Sequence, residues 1–124
     1  MSTRPILESA QLTQPVQQAM ARFHPDIVRE VQEAIARERV VIIGMRGNQA
    51  CSKARQLMQA HDVPFTYLEY GGYFSEWRRR LALKLWTGWP TFPMVFVRGT
   101  LVGGASDAKK AFEDGTIPAL LAAP

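Results

Sequence analysis

The chain has 124 residues, 47% of them hydrophobic, enough for one compact domain with a real core. Its formal charge of +4 comes from basic residues scattered along the chain, which suits small acidic ligands better than nucleic acid. A single cysteine excludes an intramolecular disulfide, no secretory-type apolar segment opens the sequence, and no apolar run approaches bilayer length. A soluble, cytoplasmic protein without a membrane partner is expected.

Residues 1–24 read as an N-terminal arm ahead of a domain at 25–124. Val16, Met20 and Phe23, spaced by four and three after Pro15, fit a short amphipathic helix; a loosely docked arm is the alternative. Asp26 is then expected to cap a helix with Ile27, Val31 and Ile35 on its apolar stripe and Arg29–Glu33 and Glu33–Arg37 as charge pairs. "VVIIGM" (Val40 to Met45), apolar and β-branched, predicts a central strand covered on both faces. Asn48 begins a helix running to about Ala60, and "VPFTYLEY" supplies a second strand. Gly71-Gly72 precedes a helix expected to bury Trp77, Leu81 and Leu85. "MVFV", Arg98-Gly99 and "TLV" form a hairpin, and Ser106 caps a last helix ending near Gly115. The first two strands, joined through a helix, should be parallel with a right-handed crossover, giving an α/β domain.

Three pieces fall where strands meet turns: Gly47–Cys51, "TGWPTFP" (Thr87–Pro93) and "GGASD" (Gly103–Asp107). "WPTFP" followed by "VRGTLVGGASD", together with "VVIIGMRG", resembles the glutaredoxins, most nearly their monothiol branch, from about Asp26 to Leu121. The resemblance implies a thioredoxin-like fold: a four-stranded mixed sheet of order 2-1-3-4 with helices on both faces, here with an additional N-terminal helix. It also implies a cis Pro93, with the backbone of Phe92 pairing with the cysteinyl part of glutathione like one more strand. Gly103 and Gly104 would let that ligand approach closely and lead it to a helix start suited to its γ-glutamyl carboxylate.

The sequence departs from the family at the thiols. The family's Cys-Pro-Tyr-Cys or Cys-Gly-Phe-Ser falls on Asn48-Gln49-Ala50-Cys51, so Asn48 holds the place of the attacking or cluster-ligating cysteine. Asn48 is a good helix cap but no nucleophile. Cys51, the one candidate catalytic thiol, lies a turn inward on the stripe of Ala54 and Met58. It is either a buried packing residue or a displaced nucleophile. Two-cysteine disulfide reduction is excluded, and any monothiol exchange must use Cys51. Asn48 in the ligand position argues against the [2Fe–2S] cluster of monothiol relatives, since such clusters select soft thiolates.

By resemblance, Arg46 stands where monothiol members place a lysine close to the glutathione site, and Arg79 and Lys84 would hold the ligand's glycyl carboxylate, with Arg78 or Arg80 as substitutes for Arg79 if the register shifts. Asp107 would bind the ligand's α-amino group or complement the helix dipole. Trp89 would pack and wall the groove. His24 and His61 give no metal motif. The leading expectation is a glutathione-binding protein of thiol redox or iron–sulfur handling. The alternative is a non-catalytic module that binds a protein partner at the groove. Nucleic acid is not expected, because no aromatic platform interleaves with the basic residues.

Overall fold

A computed structural model describes residues 5–124, leaving the first four residues of the arm outside the described part. After a 3-10 turn at Ser9–Gln11 come helices α1 (Gln14–Ala21), α2 (Pro25–Arg37), α3 (Gln49–Ala60), α4 (Trp77–Thr87), α5 (Ala105–Glu113) and α6 (Thr116–Ala122). Strands β1 (Val40–Gly44), β2 (Thr66–Glu69), β3 (Met94–Val97) and β4 (Thr100–Gly103) form one sheet of order β2-β1-β3-β4. β1 and β2 are parallel and β3 and β4 antiparallel, as the sequence predicts, and β1 pairs with β3 in antiparallel fashion. The positive φ angles of Arg98 (51°) and Gly99 (80°) make the two-residue hairpin turn, whose twist matches the strands it joins. Among the described residues no helix is long and apolar enough to cross a membrane.

The β-branched run of β1 fills both faces of the sheet. Val41 and Ile43 join the core under α2 and α4, while Val40 and Ile42 join the core under α3, α5 and α6. β3 alternates the same way, Met94 and Phe96 against Val95 and Val97. Central strands buried on both sides explain why sequence alternation is absent there.

Several local expectations are corrected. Pro25, not Asp26, opens the second helix: its fixed φ suits the first helical position, so the cap moves back to His24 and Asp26 sits in the first turn. Gly104, not Ser106, caps α5, because the Asp107 carboxylate accepts the Gly104 N–H at 3.0 Å. α6, with Pro118 tolerated in its first turn, follows Gly115 where no further helix was expected. The Arg29–Glu33 and Glu33–Arg37 pairs do not form; Asp26 and Glu30 instead face Arg79 on α4.

The largest correction concerns α4. Trp77 is 57% and Leu85 66% exposed, while Arg80, Ala82 and Leu83 are the buried residues. The helix carries apolar side chains nearly all round, so periodicity alone does not choose a face. Tertiary contact with α2 and the loop before α4 chooses the Arg80–Leu83 side. The arm, helical at α1, borders the outward side: Met20 and Phe23 join Leu81, Leu85 and Trp86 around an apolar groove of ≈ 690 Å³.

Candidate functional site

Sheet register brings the three singled-out pieces to one edge. Ile43 pairs with Met94 in antiparallel fashion, so the turn leaving β1 and the residues entering β3 lie side by side. Val95 pairs with Gly103, which places the end of β4 at the same edge. The Phe92–Pro93 peptide is cis, as expected from the resemblance. Among the described residues the Phe92 amide takes part in no backbone hydrogen bond. Gly103 has φ +107°, and a Cβ there would meet Asp107 Cβ at 2.7 Å, so glycine is required. Gly104 stands over the Pro93 carbonyl, a Cβ there lying 3.7 Å from it, so these two segments touch across the edge. Asp107 is exposed but already accepts the Gly104 N–H; its position at the start of α5 also complements the helix dipole.

Asn48 caps α3 as predicted. Its side-chain oxygen accepts the Cys51 N–H at 3.0 Å, satisfying one of the orphan donors of the first turn. Its side-chain nitrogen donates to the Tyr73 hydroxyl at 3.4 Å. Tyr73 was not singled out from sequence; the only signal was an aromatic pair, Tyr73-Phe74, directly after a double-glycine break. Both rings are exposed. Arg46 sits one step before this turn, exposed, with its N–H donated to the Gly71 carbonyl at 2.7 Å and its guanidinium against Gly72. Lys84 Nζ lies 5.7 Å from the centre of the Phe92 ring, so this cation does reach the groove.

Cys51 is fully buried, at 0% exposure, together with Ala54 and Met58. Burial pushes its thiol pKa up, against smaller opposing effects of the Met45 backbone, Tyr67 and Arg55. Gly44 is the reason the thiol fits: a Cβ there would fall 2.5 Å from the Tyr67 hydroxyl and 2.9 Å from Cys51 Sγ. The Tyr67 hydroxyl beside it is sequestered as well, and burial pushes its pKa up to about 12. Protonated and walled off, this thiol has neither the thiolate character nor the access a nucleophile needs.

The three consecutive arginines do not converge on the groove. Arg79 is committed to α2 and to its own helix start, with Asp26 at 3.3 Å, Glu30 at 3.7 Å and Glu76 at 2.7 Å. Its substitutes are engaged too: Arg78 lies over the Trp77 ring, and Arg80 is buried, donating to the Tyr70 and Ser75 carbonyls at 2.8 and 2.6 Å. These engagements follow from α4 turning a different face inward than its spacing implies. Trp89 packs on the α2–α4 core with its ring N–H buried and unpartnered. His61 stacks on Phe112, centroids 3.8 Å apart, and no cluster of potential metal ligands occurs among the described residues.

A family model described as Glutaredoxin matches residues 40–102. A glutaredoxin-like protein of Dictyostelium discoideum is 44% identical over 105 residues, covering 85% of this chain and 85% of that protein. Human mitochondrial glutaredoxin-2 is 34% identical over 97 residues; the match takes in 73% of this chain and 55% of the human protein, little more than half its length. Among solved structures, wheat glutaredoxin superposes with a TM-score of 0.66 at 27% identity, over 78% of this chain and 90% of its own. A buckwheat glutaredoxin–glutathione complex shares the fold, with a TM-score of 0.68 at 22% identity over 78% of this chain and 88% of that one.

Proposed function

This chain belongs to the glutaredoxin family, and we propose that it is a glutathione-binding member whose groove persists without the family's leading thiol. The family carries a glutaredoxin-type redox function. The single observation behind the narrower reading is the pair Asn48 and Cys51: the first thiol position is a helix cap, and the one sulfur present is sealed beneath the helix. Dithiol reduction needs two cysteines, and this chain has one.

Glutathione would lie along Phe92, its cysteinyl part pairing with the free amide there and its sulfur facing Asn48. Lys84 and Arg46 supply the positive charge for a terminal carboxylate, and Gly103–Gly104 leave room for the γ-glutamyl end. The buckwheat complex lends support at the level of the fold. Arg79 has no part in this reading, since three carboxylates already hold it. The residues present do not fit a [2Fe–2S] cluster: Asn48 offers an amide where a thiolate is needed, and Cys51 Sγ is enclosed. A second reading, docking of a protein partner at the groove without catalysis, draws on the exposed ring of Tyr73, which meets Asn48, and on the exposed Phe74 that follows it.

Titration of the protein with reduced glutathione, followed by amide NMR shifts, tests the reading. Shifts at Phe92, Gly104, Asn48 and Arg46 are expected at millimolar ligand. Lys84→Ala should weaken binding about tenfold, the scale of one charge-assisted hydrogen bond, and Arg79→Ala should leave it unchanged. Absence of any shift at millimolar glutathione would overturn the reading in favour of the protein-partner module.

A further inference from the structure

Asn48 does more than fill the place of a lost thiol. Its side-chain oxygen points inward to accept the Cys51 N–H, which fixes the amide and turns the NH2 group outward to Tyr73. Tyr73 accepts that bond through its oxygen, so its own proton is left to donate. Arg46, exposed and fixed through its backbone to Gly71, sets its guanidinium against Gly72, one residue before Tyr73. The groups offered where a glutathione sulfur would sit are therefore donors: an amide N–H and a phenolic O–H, with a guanidinium beside them. Glu69, at the end of β2, is the acid that acts on the neighbouring Cys51, offset there by Arg55.

We infer that this corner selects glutathione whose sulfur carries a negative charge, such as the thiolate, persulfide or sulfonate, over neutral thioethers. The inference rests on the glutathione reading above and deepens it. A cysteine in this position would react with an incoming sulfur, whereas an amide and a phenol can only hydrogen-bond to it. Hydrogen bonds to a charged acceptor are the strong kind, and a capped or alkylated sulfur forfeits them. The step is binding alone; no bond to sulfur forms or breaks.

Calorimetry with three probes tests the inference: reduced glutathione, S-methylglutathione and glutathione sulfonate. The parent protein is expected to bind the sulfonate about tenfold more tightly than the S-methyl compound. Asn48→Asp keeps the oxygen that caps α3 but replaces the outward NH2 with an oxygen of an anionic carboxylate, so it should abolish the preference for the sulfonate over the S-methyl compound. Tyr73→Phe should reduce the preference without affecting the fold. Equal affinities for the sulfonate and the S-methyl compound in the parent, or an unchanged ratio in Asn48→Asp, would overturn the inference and leave glutathione binding standing. Failure of all three probes to bind would overturn both.

Discussion

Asn48→Cys is expected to turn a protein with background activity into one that catalyses glutathione-dependent disulfide exchange, a rise on the order of a hundredfold or more. The substituted side chain stands at the mouth of α3, partly exposed, at the same sheet edge as Phe92 and Pro93. A thiol there gains from the unpaired N–H groups of the first helical turn and from Arg46 nearby, both of which favour thiolate. Attack on a mixed disulfide would release the substrate thiol and leave glutathione on the new cysteine, which a second glutathione thiolate then resolves. The change removes a helix cap, costing about 1 kcal/mol, so the gain in activity should come with slightly lower stability. A steady-state exchange assay on the two proteins, with circular dichroism melts beside it, checks both. An inactive Asn48→Cys that still binds glutathione would mean that the groove no longer presents sulfur to this position.

The largest loss of stability is expected from Arg80→Ala. Arg80 is only 6% exposed, and its guanidinium ties down the loop between β2 and α4 through the Tyr70 and Ser75 carbonyls. Truncation removes two charge-assisted hydrogen bonds, leaves two partly or fully buried carbonyls without that donor, and opens space beside Leu83. The cost should be about 3 kcal/mol, or roughly 10 °C in Tm for a domain of this size. The same loop carries the Gly71 carbonyl that accepts the Arg46 N–H, and it carries Tyr73, so the site should loosen with it. Arg78→Ala, an exposed neighbour stacked on Trp77, should cost no more than about 0.5 kcal/mol. Thermal and urea melts of the two variants compare them directly; equal, small losses would show that Arg80 is dispensable.

The contrast between these two arginines marks where the sequence was readable. The parallel first pair, the hairpin at Arg98-Gly99 and the cap at Asn48 follow from local signals: β-branched runs joined through a helix, a glycine turn, an amide before a helix. These are decided over short stretches and hold, and the strand order, which only the resemblance implies, is the observed one. The inward position of Cys51 was equally legible, because Ala54 and Met58 share its stripe and the strand it covers is apolar. The caps moved two residues back, to His24 and Gly104, because a proline opens one helix and the carboxylate of Asp107, inside the first turn of the other, takes the Gly104 N–H. The face of α4 was not legible at all. Leucines and tryptophans occur on more than one side of it, and the choice was made by carbonyls of a preceding loop that only a buried guanidinium could satisfy. That choice sets Lys84 beside the Phe92 ring and Arg79 against Asp26, Glu30 and Glu76. Tyr73 escaped for a related reason: a single aromatic residue in a loop has no periodicity to report its neighbour.

The central claim is that the groove is kept while its nucleophile is gone, and intact-protein mass spectrometry tests it most directly. The folded parent and Asn48→Cys are each incubated with glutathione disulfide at neutral pH, quenched in acid and weighed. A parent of unchanged mass beside an Asn48→Cys protein carrying one glutathione is the predicted result, because Cys51 is buried and its thiol is held protonated. Rapid, stoichiometric glutathionylation of the folded parent, lost in Cys51→Ser, would contradict the account and make Cys51 the working thiol.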